Sequence, residues 1–204
     1  MAAPLSVPGI THCGVPGIKN IVYGSHLCHF YPNRQELIDS LVPFFEAGLR
    51  NNERCLWVTA EPLLAEQAKE ELARVVPDMK TRIARGQLRI ANGHEWYETS
   101  AAVKNEDMVA RWLREEADAL NAGYNGLRIT GNASFLTPET WRAFMEYEKL
   151  VSKAFEGRRI VALCSYDLSR CRPWEVLDVI GHHHHTLIRA DDSWQVLEYQ
   201  QGRL

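Results

Sequence analysis

The sequence predicts an α/β fold with a mainly parallel central sheet, helices on both faces and a C-terminal β-hairpin. Three observations lead there. Short apolar runs alternate with longer stretches of helical period through most of the 204 residues, the pattern of strand–helix–strand crossovers. The runs Cys55–Thr59 and Ile160–Cys164 are apolar at nearly every position, as in strands covered on both sides. Each helical stretch carries one apolar stripe, enough to cover one face of a sheet.

Residues 1–18 hold three prolines and three glycines without periodicity and read as an irregular arm. A single domain is expected over 19–204. Lys19–Tyr23 and His26–Tyr31 read as extended pieces around a Gly24-Ser25 turn. Asn33 with Glu36 starts a helix whose stripe is Leu37, Ile38, Leu41, Val42, Phe45 and Leu49, with Pro43 inside it. After the strand Cys55–Thr59, Glu61-Pro62 opens a second helix with Leu64, Ala68, Leu72 and Val75 inward, ended by Pro77. A basic connector leads to the strand Leu88–Ile90 and the polar-aromatic loop His94–Tyr97. A third long helix runs from Asn105, with Val109, Trp112, Leu113, Ala117 and Leu120 inward and Gly123 closing it. Gly126–Gly131 is the next strand. Thr137-Pro138-Glu139 starts a helix with Trp141, Phe144, Met145, Val151 and Phe155 on its apolar face. Ile160–Cys164 follows, then a short helix over Pro173–Ile180 and the tract His182–His185. Thr186–Ile188 and Trp194–Leu197 close as a hairpin around Asp191-Asp192.

The totals exclude several classes. A formal charge of -3 with no basic cluster argues against direct nucleic-acid binding and against a membrane surface. No apolar run approaches the roughly 18 residues of a membrane span. The five cysteines form no C-x-x-C pair and read as free thiols in a reducing, cytoplasmic setting.

In a parallel sheet of this kind ligands bind beyond the carboxyl ends of the strands. Those ends offer Cys28–Tyr31, Thr59–Glu61, His94–Tyr97, Thr130–Ser134 and Cys164–Asp167. The pattern G-x-x-x-x-G-K-[ST] and the pattern G-x-G-x-x-G are both absent, so ATP is not expected. For a metal, His26, Cys28 and His29 are local ligand candidates, and His26 and Cys28 would share one face of a strand. Cys164, Cys171, His94 or the His182–His185 tract could complete a tetrahedral set. The structural alternative is a buried cysteine beside a hydrogen-bonded histidine, and for the tract a helix C-terminus where imidazoles meet the dipole. A nucleophile–base set of Cys28 with His26 or His94 and Glu95 can be written, but its spacing matches no known arrangement. Glu61 reads equally as a base or as a helix cap.

The run Gly24-Ser25-His26-Leu27-Cys28-His29-Phe30-Tyr31 resembles the opening motif of the MEDS domain, the sensory domain of methanogen and methylotroph regulators of the DcmR type. The resemblance continues through Leu41–Leu49, Asn52–Thr59, Gly86-Gln87-Leu88, Glu95-Trp96-Tyr97, Gly126–Gly131 and Ala162–Tyr166, and spans residues 19–198. It implies a RecA/KaiC-like fold without a working phosphate loop, turned to sensing simple hydrocarbon or one-carbon derivatives. It maps the family's histidine and cysteine to His26 and Cys28, with Cys164 as a further family-like cysteine. Glu61 falls where KaiC-like enzymes carry catalytic carboxylates, and Thr130-Gly131 where a metal-holding aspartate would stand.

The expected function is therefore a cytoplasmic sensory domain for signal transduction or transcriptional regulation, more in keeping with a binding module than an enzyme. Its small-molecule ligand is expected against His26, Cys28, Tyr31, Glu61, Glu95, Trp96, Thr130, Cys164 and Tyr166. The alternatives are a residual nucleotide hydrolase, a thiol-dependent transferase, or a metal-dependent sensor. No output module is expected after Leu204, and output is expected through a signalling protein, a homo-oligomer or the arm.

Overall fold

The structure is a computed structural model that describes residues 9–93, 96, 105–132 and 136–198. Strands β1 (Ile10–His12) and β2 (Asn20–Val22) form an antiparallel pair. Then come β3 (His26–Tyr31), α1 (Arg34–Arg50), β4 (Arg54–Thr59), α2 (Ala65–Ala73), α3 (Met79–Ala84) and β5 (Leu88–Asn92). The chain continues with α4 (Asn105–Asn121), β6 (Leu127–Asn132), α5 (Pro138–Phe155), β7 (Ile160–Asp167), α6 (Pro173–Gly181), β8 (His185–Ala190) and β9 (Ser193–Glu198). Among the described residues, seven strands make one sheet in the order β5-β4-β6-β7-β3-β8-β9. Every pairing is parallel except the closing hairpin β8–β9. Asp191 and Asp192 both sit at positive φ, as a two-residue hairpin turn requires.

The alternation of side chains along the strands divides the core in two. Leu27, Tyr31, Trp57 and Leu163 face α1 and α2. Leu56, Ile129 and Ala162 face α4 and α5, and Cys28 and Tyr166 continue that side toward α6. Helix α1 starts as expected, with Asn33 Oδ1 accepting the Glu36 amide at 3.0 Å.

Four expectations are corrected. Residues 9–18 are not an irregular arm: they carry β1, and Cys13 and Val15 are core residues. The reason is a buried ion pair. Arg128 Nε donates to Glu53 Oε2 at 2.5 Å with both side chains fully buried. The remaining guanidinium donors reach the carbonyls of His12, Cys13 and Phe44. Thr11 and Tyr23 donate to the other Glu53 oxygen, and these bonds hold its carboxyl below the usual range despite burial. Gly14 is pressed against α1 at φ +91°, where a Cβ would stand 2.1 Å from the Pro43 carbonyl oxygen. Gly48 is equally constrained, because a Cβ there would lie 2.5 Å from Arg128 Nε.

Second, α2 begins at Ala65, not at Pro62. A turn closes first, with Leu63 N donating to Ala60 O, and Gln67 Oε1 then accepts the Leu64 amide. At its far end Val76 is buried and Val75 is exposed. Third, the basic connector folds as α3, where Arg82 pairs with Asp78 and reaches the Leu49 carbonyl. Fourth, the inward stripe of α4 is Met108, Trp112, Glu116 and Ala119, leaving Ala117 and Leu120 outside. Glu116 turns inward because its carboxylate accepts the Arg159 amide at 2.6 Å and lies 3.4 Å from Arg158.

Candidate functional site

On the α5 side of the sheet, four side chains from four separate segments meet: His26, Glu148, Cys164 and His183. Their ligand-type atoms all lie within 4.8 Å of one another. His26 is the first residue of β3, and Cys164 stands midway along β7, opposite both Cys28 and Gly131 in register. Glu148 projects from the apolar face of α5. His183 follows the C-terminus of α6.

Local hydrogen bonds set each histidine. His26 Nδ1 is 2.7 Å from Ser152 Oγ, and the Ser152 hydroxyl donates to the His182 carbonyl. With its only proton so used, Ser152 accepts from His26, so the His26 proton is on Nδ1 and Nε2 presents a lone pair. His183 Nδ1 is 2.7 Å from the Val179 carbonyl and must donate, so in the neutral ring its Nε2 carries the lone pair. The two Nε2 atoms lie 3.2 Å and 3.3 Å from the same oxygen, Glu148 Oε2. His26 Nε2 is also 3.2 Å from Cys164 Sγ. Among the described residues neither Glu148 Oε2 nor His183 Nε2 has a hydrogen-bond partner, and Glu148, His26 and His183 are all buried.

Burial and the neighbouring imidazoles push the His26 pKa far down, so the ring is neutral. Burial, then the Glu148 charge, pushes the Cys164 thiol well up. The cluster is therefore rich in acceptors and poor in donors. Beside it, between the sheet and α5, lies a cavity of about 20 Å³ lined by His26, Glu148, Cys164, Gly131, Asn132 and Tyr166 together with apolar residues such as Ile129 and Ala162.

Of the residues expected at the site, the structure brings together His26, Cys164 and Tyr166, the last of which lines the cavity and stands edge-on to His183. The meeting point is a sheet face and not the carboxyl edge, because His26 reaches it from the amino end of its strand. Cys28 shares that face, but its thiol is engaged 3.3 Å from Thr186 Oγ1 and its pKa is raised to about 12 by burial. Tyr31 points to the opposite face and touches the site through Asn132, whose Nδ2 donates to the Tyr31 hydroxyl at 3.3 Å. The Thr130 hydroxyl is spent on the Leu163 carbonyl. Trp96 stacks on Trp112 under the Arg111 guanidinium.

Glu61 is exposed beyond β4, three strand spacings from β3 in the sheet order, or about 14 Å. Glu95, with His94, Tyr97 and Ser134, lies outside the described residues. His29, offered as a metal ligand beside His26 and Cys28, faces the other side of the sheet. There it meets Ser40 and Trp194, because neighbouring strand positions point oppositely.

Glu148 and Ser152 were missed by the sequence reading. The signal was present: Glu148 falls inside the stripe Trp141, Phe144, Met145, Val151, Phe155, where a carboxylate has no reason to be unless it meets something. Ser152 lies one helical turn on. The His182–His185 tract divides its work residue by residue. His182 and His183 cap carbonyls at the end of α6, as read from sequence. His184 fastens the start of β3 by exchanging bonds with the His26 backbone.

Fold and site together define a KaiC-like α/β domain with a polar cluster sunk into one face of its sheet. Among solved structures, it is similar to a KaiC-like protein from the hyperthermophilic archaeon Pyrococcus horikoshii, with a TM-score of 0.61 at 11% identity over 96% of this chain and 91% of that one. No curated protein matches the sequence. The family model described as MEDS, MEthanogen/methylotroph, DcmR Sensory domain, matches residues 25–184. The chain belongs to that family, and its role is sensory. Among the described residues no helix is long and apolar enough to cross a membrane.

Proposed function

We propose that this chain is a cytoplasmic, non-enzymatic signalling domain whose reception site is the cavity beside His26, Glu148 and Cys164, and whose ligand is a compound of one-carbon size. The observation that carries this is a buried polar cluster, with Glu148 Oε2 and His183 Nε2 left without hydrogen bonds among the described residues, against a small void in a packed core. Folding does not explain it, since each buried polar atom left unpaired costs about 1–3 kcal/mol. The void of about 20 Å³ exceeds the roughly 10–15 Å³ that one water needs and admits a ligand of only a few atoms. Beside His26, Glu148 and Cys164, its polar lining is Asn132, Tyr166 and the mutually hydrogen-bonded Trp112 and Tyr147, and the rest is apolar. A small apolar molecule with one polar or electron-accepting end suits it.

The β3–α1 junction supports sensing over nucleotide hydrolysis. Only Pro32 and Asn33 separate strand from helix, and the Asn33 side chain already caps the helix start. No phosphate cradle fits there. Output would pass to a signalling protein or to a second copy of the chain.

The test is thermal melting with methanol, formaldehyde, formate, methylamine and methanethiol. A ligand at about 100 times its Kd adds about 2.7 kcal/mol, which for a chain of this size raises Tm by about 5–10 °C. Ala162→Val, which fills the cavity wall, should abolish the shift. No shift with any compound, or a shift unchanged by Ala162→Val, would overturn the assignment.

A further inference from the structure

We propose that His26, Glu148, Cys164 and His183 form a binding site for one divalent transition-metal ion of the zinc class, a proposal that rests on the reading of the adjoining cavity as the sensory site. Three independent features of the geometry point to it.

The first is the spacing. Nitrogen or oxygen ligands on a tetrahedron about 2.05 Å from a zinc ion stand about 3.3 Å apart, and a sulfur at about 2.3 Å lies slightly farther from them. The measured separations are 3.2 Å for His26 Nε2 to Glu148 Oε2, 3.3 Å for His183 Nε2 to Glu148 Oε2, and 3.2 Å for His26 Nε2 to Cys164 Sγ. These three of the six separations are close to those of a coordination sphere, and the other three lie within 4.8 Å.

The second is the orientation of the imidazoles. Metal-bound histidines donate the distal N–H to a carbonyl or another oxygen, which fixes the tautomer and aims the other nitrogen at the ion. His183 donates from Nδ1 to the Val179 carbonyl and His26 donates from Nδ1 to Ser152. Two rings from distant segments are thus held with their lone pairs on a common point. Without a metal, the His183 Nε2 lone pair and the Glu148 carboxylate oxygen stand 3.3 Å apart with no donor between them and repel.

The third is the charge. Among the described residues Glu148 Oε2 accepts no hydrogen bond, and its ion-pair contacts are His26 and His183, with no arginine or lysine. A dication with one carboxylate and one thiolate makes the site neutral. On binding, the Cys164 thiol gives its proton to solvent as the sulfur–metal bond forms, so one proton leaves per ion bound. The mixed nitrogen, sulfur and oxygen set suits zinc and disfavours magnesium or calcium. Since His26, Glu148 and Cys164 also line the cavity, a ligand entering it would touch the ion's shell. Recognition and metal would then be one device.

The full chain, stripped with a chelator and dialysed, is titrated with Zn²⁺ against a chromophoric competitor and, separately, with Co²⁺. The expected result is one equivalent bound per chain, release of one proton, and a tetrahedral Co²⁺ spectrum with a thiolate charge-transfer band. Cys164→Ser should remove that band, and Glu148→Gln should weaken binding at least tenfold while near-ultraviolet circular dichroism shows the fold kept. The band also separates this site from surface binding by the remaining tract histidines, which lack a thiolate. A folded wild-type chain that binds no stoichiometric Zn²⁺, or a Co²⁺ spectrum indifferent to both substitutions, would overturn the proposal. The one-carbon melting panel is run on metal-free and metal-loaded protein. A ligand shift without any metal binding sinks this proposal alone, whereas stoichiometric metal binding without any ligand shift sustains it and sinks the ligand reading.

Discussion

Replacing Glu148 by Met should make the metal-free protein more stable. The carboxylate sits on a face of α5 shared with Trp141, Met145 and Val151, all buried. Its Oε2 has two imidazole nitrogens at 3.2 and 3.3 Å and no hydrogen-bond donor among the described residues. Methionine has nearly the same length and helix propensity, packs against apolar neighbours and removes the unpaired charge. Leaving such a group buried costs about 1–3 kcal/mol, and more when it is charged. At about 2–4 °C per kcal/mol for a chain of this length, Tm should rise by about 2–12 °C. The assay is thermal and urea unfolding of wild type and Glu148→Met in excess chelator near neutral pH, repeated with Zn²⁺. Wild type should gain stability from Zn²⁺ and the variant should not. A variant that melts below wild type in chelator would refute the reasoning, since the carboxylate would then be paired with a proton-bearing imidazole and contribute to folding. A gain in stability at the expense of binding is the signature of a residue kept for function.

Two further predictions concern the scaffold. Arg128→Met strands the Glu53 charge and three carbonyls in the core, so chemical denaturation should show a loss of about 3–5 kcal/mol; a loss below about 1 kcal/mol would contradict the buried pair. His29 is buried, which lowers its pKa to about 3 from an ordinary 6.5. A folded pKa below the unfolded one means the unfolded chain takes up the proton first. Stability from this residue is therefore whole above pH 6.5 and declines as pH falls toward 3, by up to about 1.4 kcal/mol per unit. His29→Gln should flatten that part of the stability–pH curve, and an unchanged slope would argue against burial of the neutral ring.

The parallel sheet, both helical layers and the closing hairpin were legible in the sequence because each rests on local patterning. Continuous apolar runs mark buried strands, and the Asp191-Asp192 pair marks its turn. Helix faces were less legible wherever a charged residue turns inward. Glu116 displaced the stripe of α4 because its partner, the Arg159 backbone, lies more than 40 positions away. Glu148 hid inside α5 for the same reason. The site was half visible: His26 and Cys164 announce themselves as residue types, but their meeting depends on β3 and β7 being neighbours in the sheet order. His183 could not be singled out from four adjacent histidines until α6 fixed which ring turned inward. Glu61, attractive by family position, lies well across the sheet, a distance no linear motif reveals.

The Arg128 knot has a bearing on how a signal can leave the domain. Its guanidinium donates to the carbonyls of residues 12 and 13, and Thr11 donates to Glu53, so moving the segment 9–18 means stripping a buried ion pair of these hydrogen bonds, each worth about 1.5–3 kcal/mol to a charged partner. Coupling between a ligand and a distant element ordinarily amounts to about 1–3 kcal/mol. Reception at the far face of the sheet lacks the strength to unfasten that clasp. The segment behaves as a fixed hem, and motion on binding should run instead along the elements that own the site, α5 and the α6–β8 connection, toward the exposed Trp174 and Leu177 of α6.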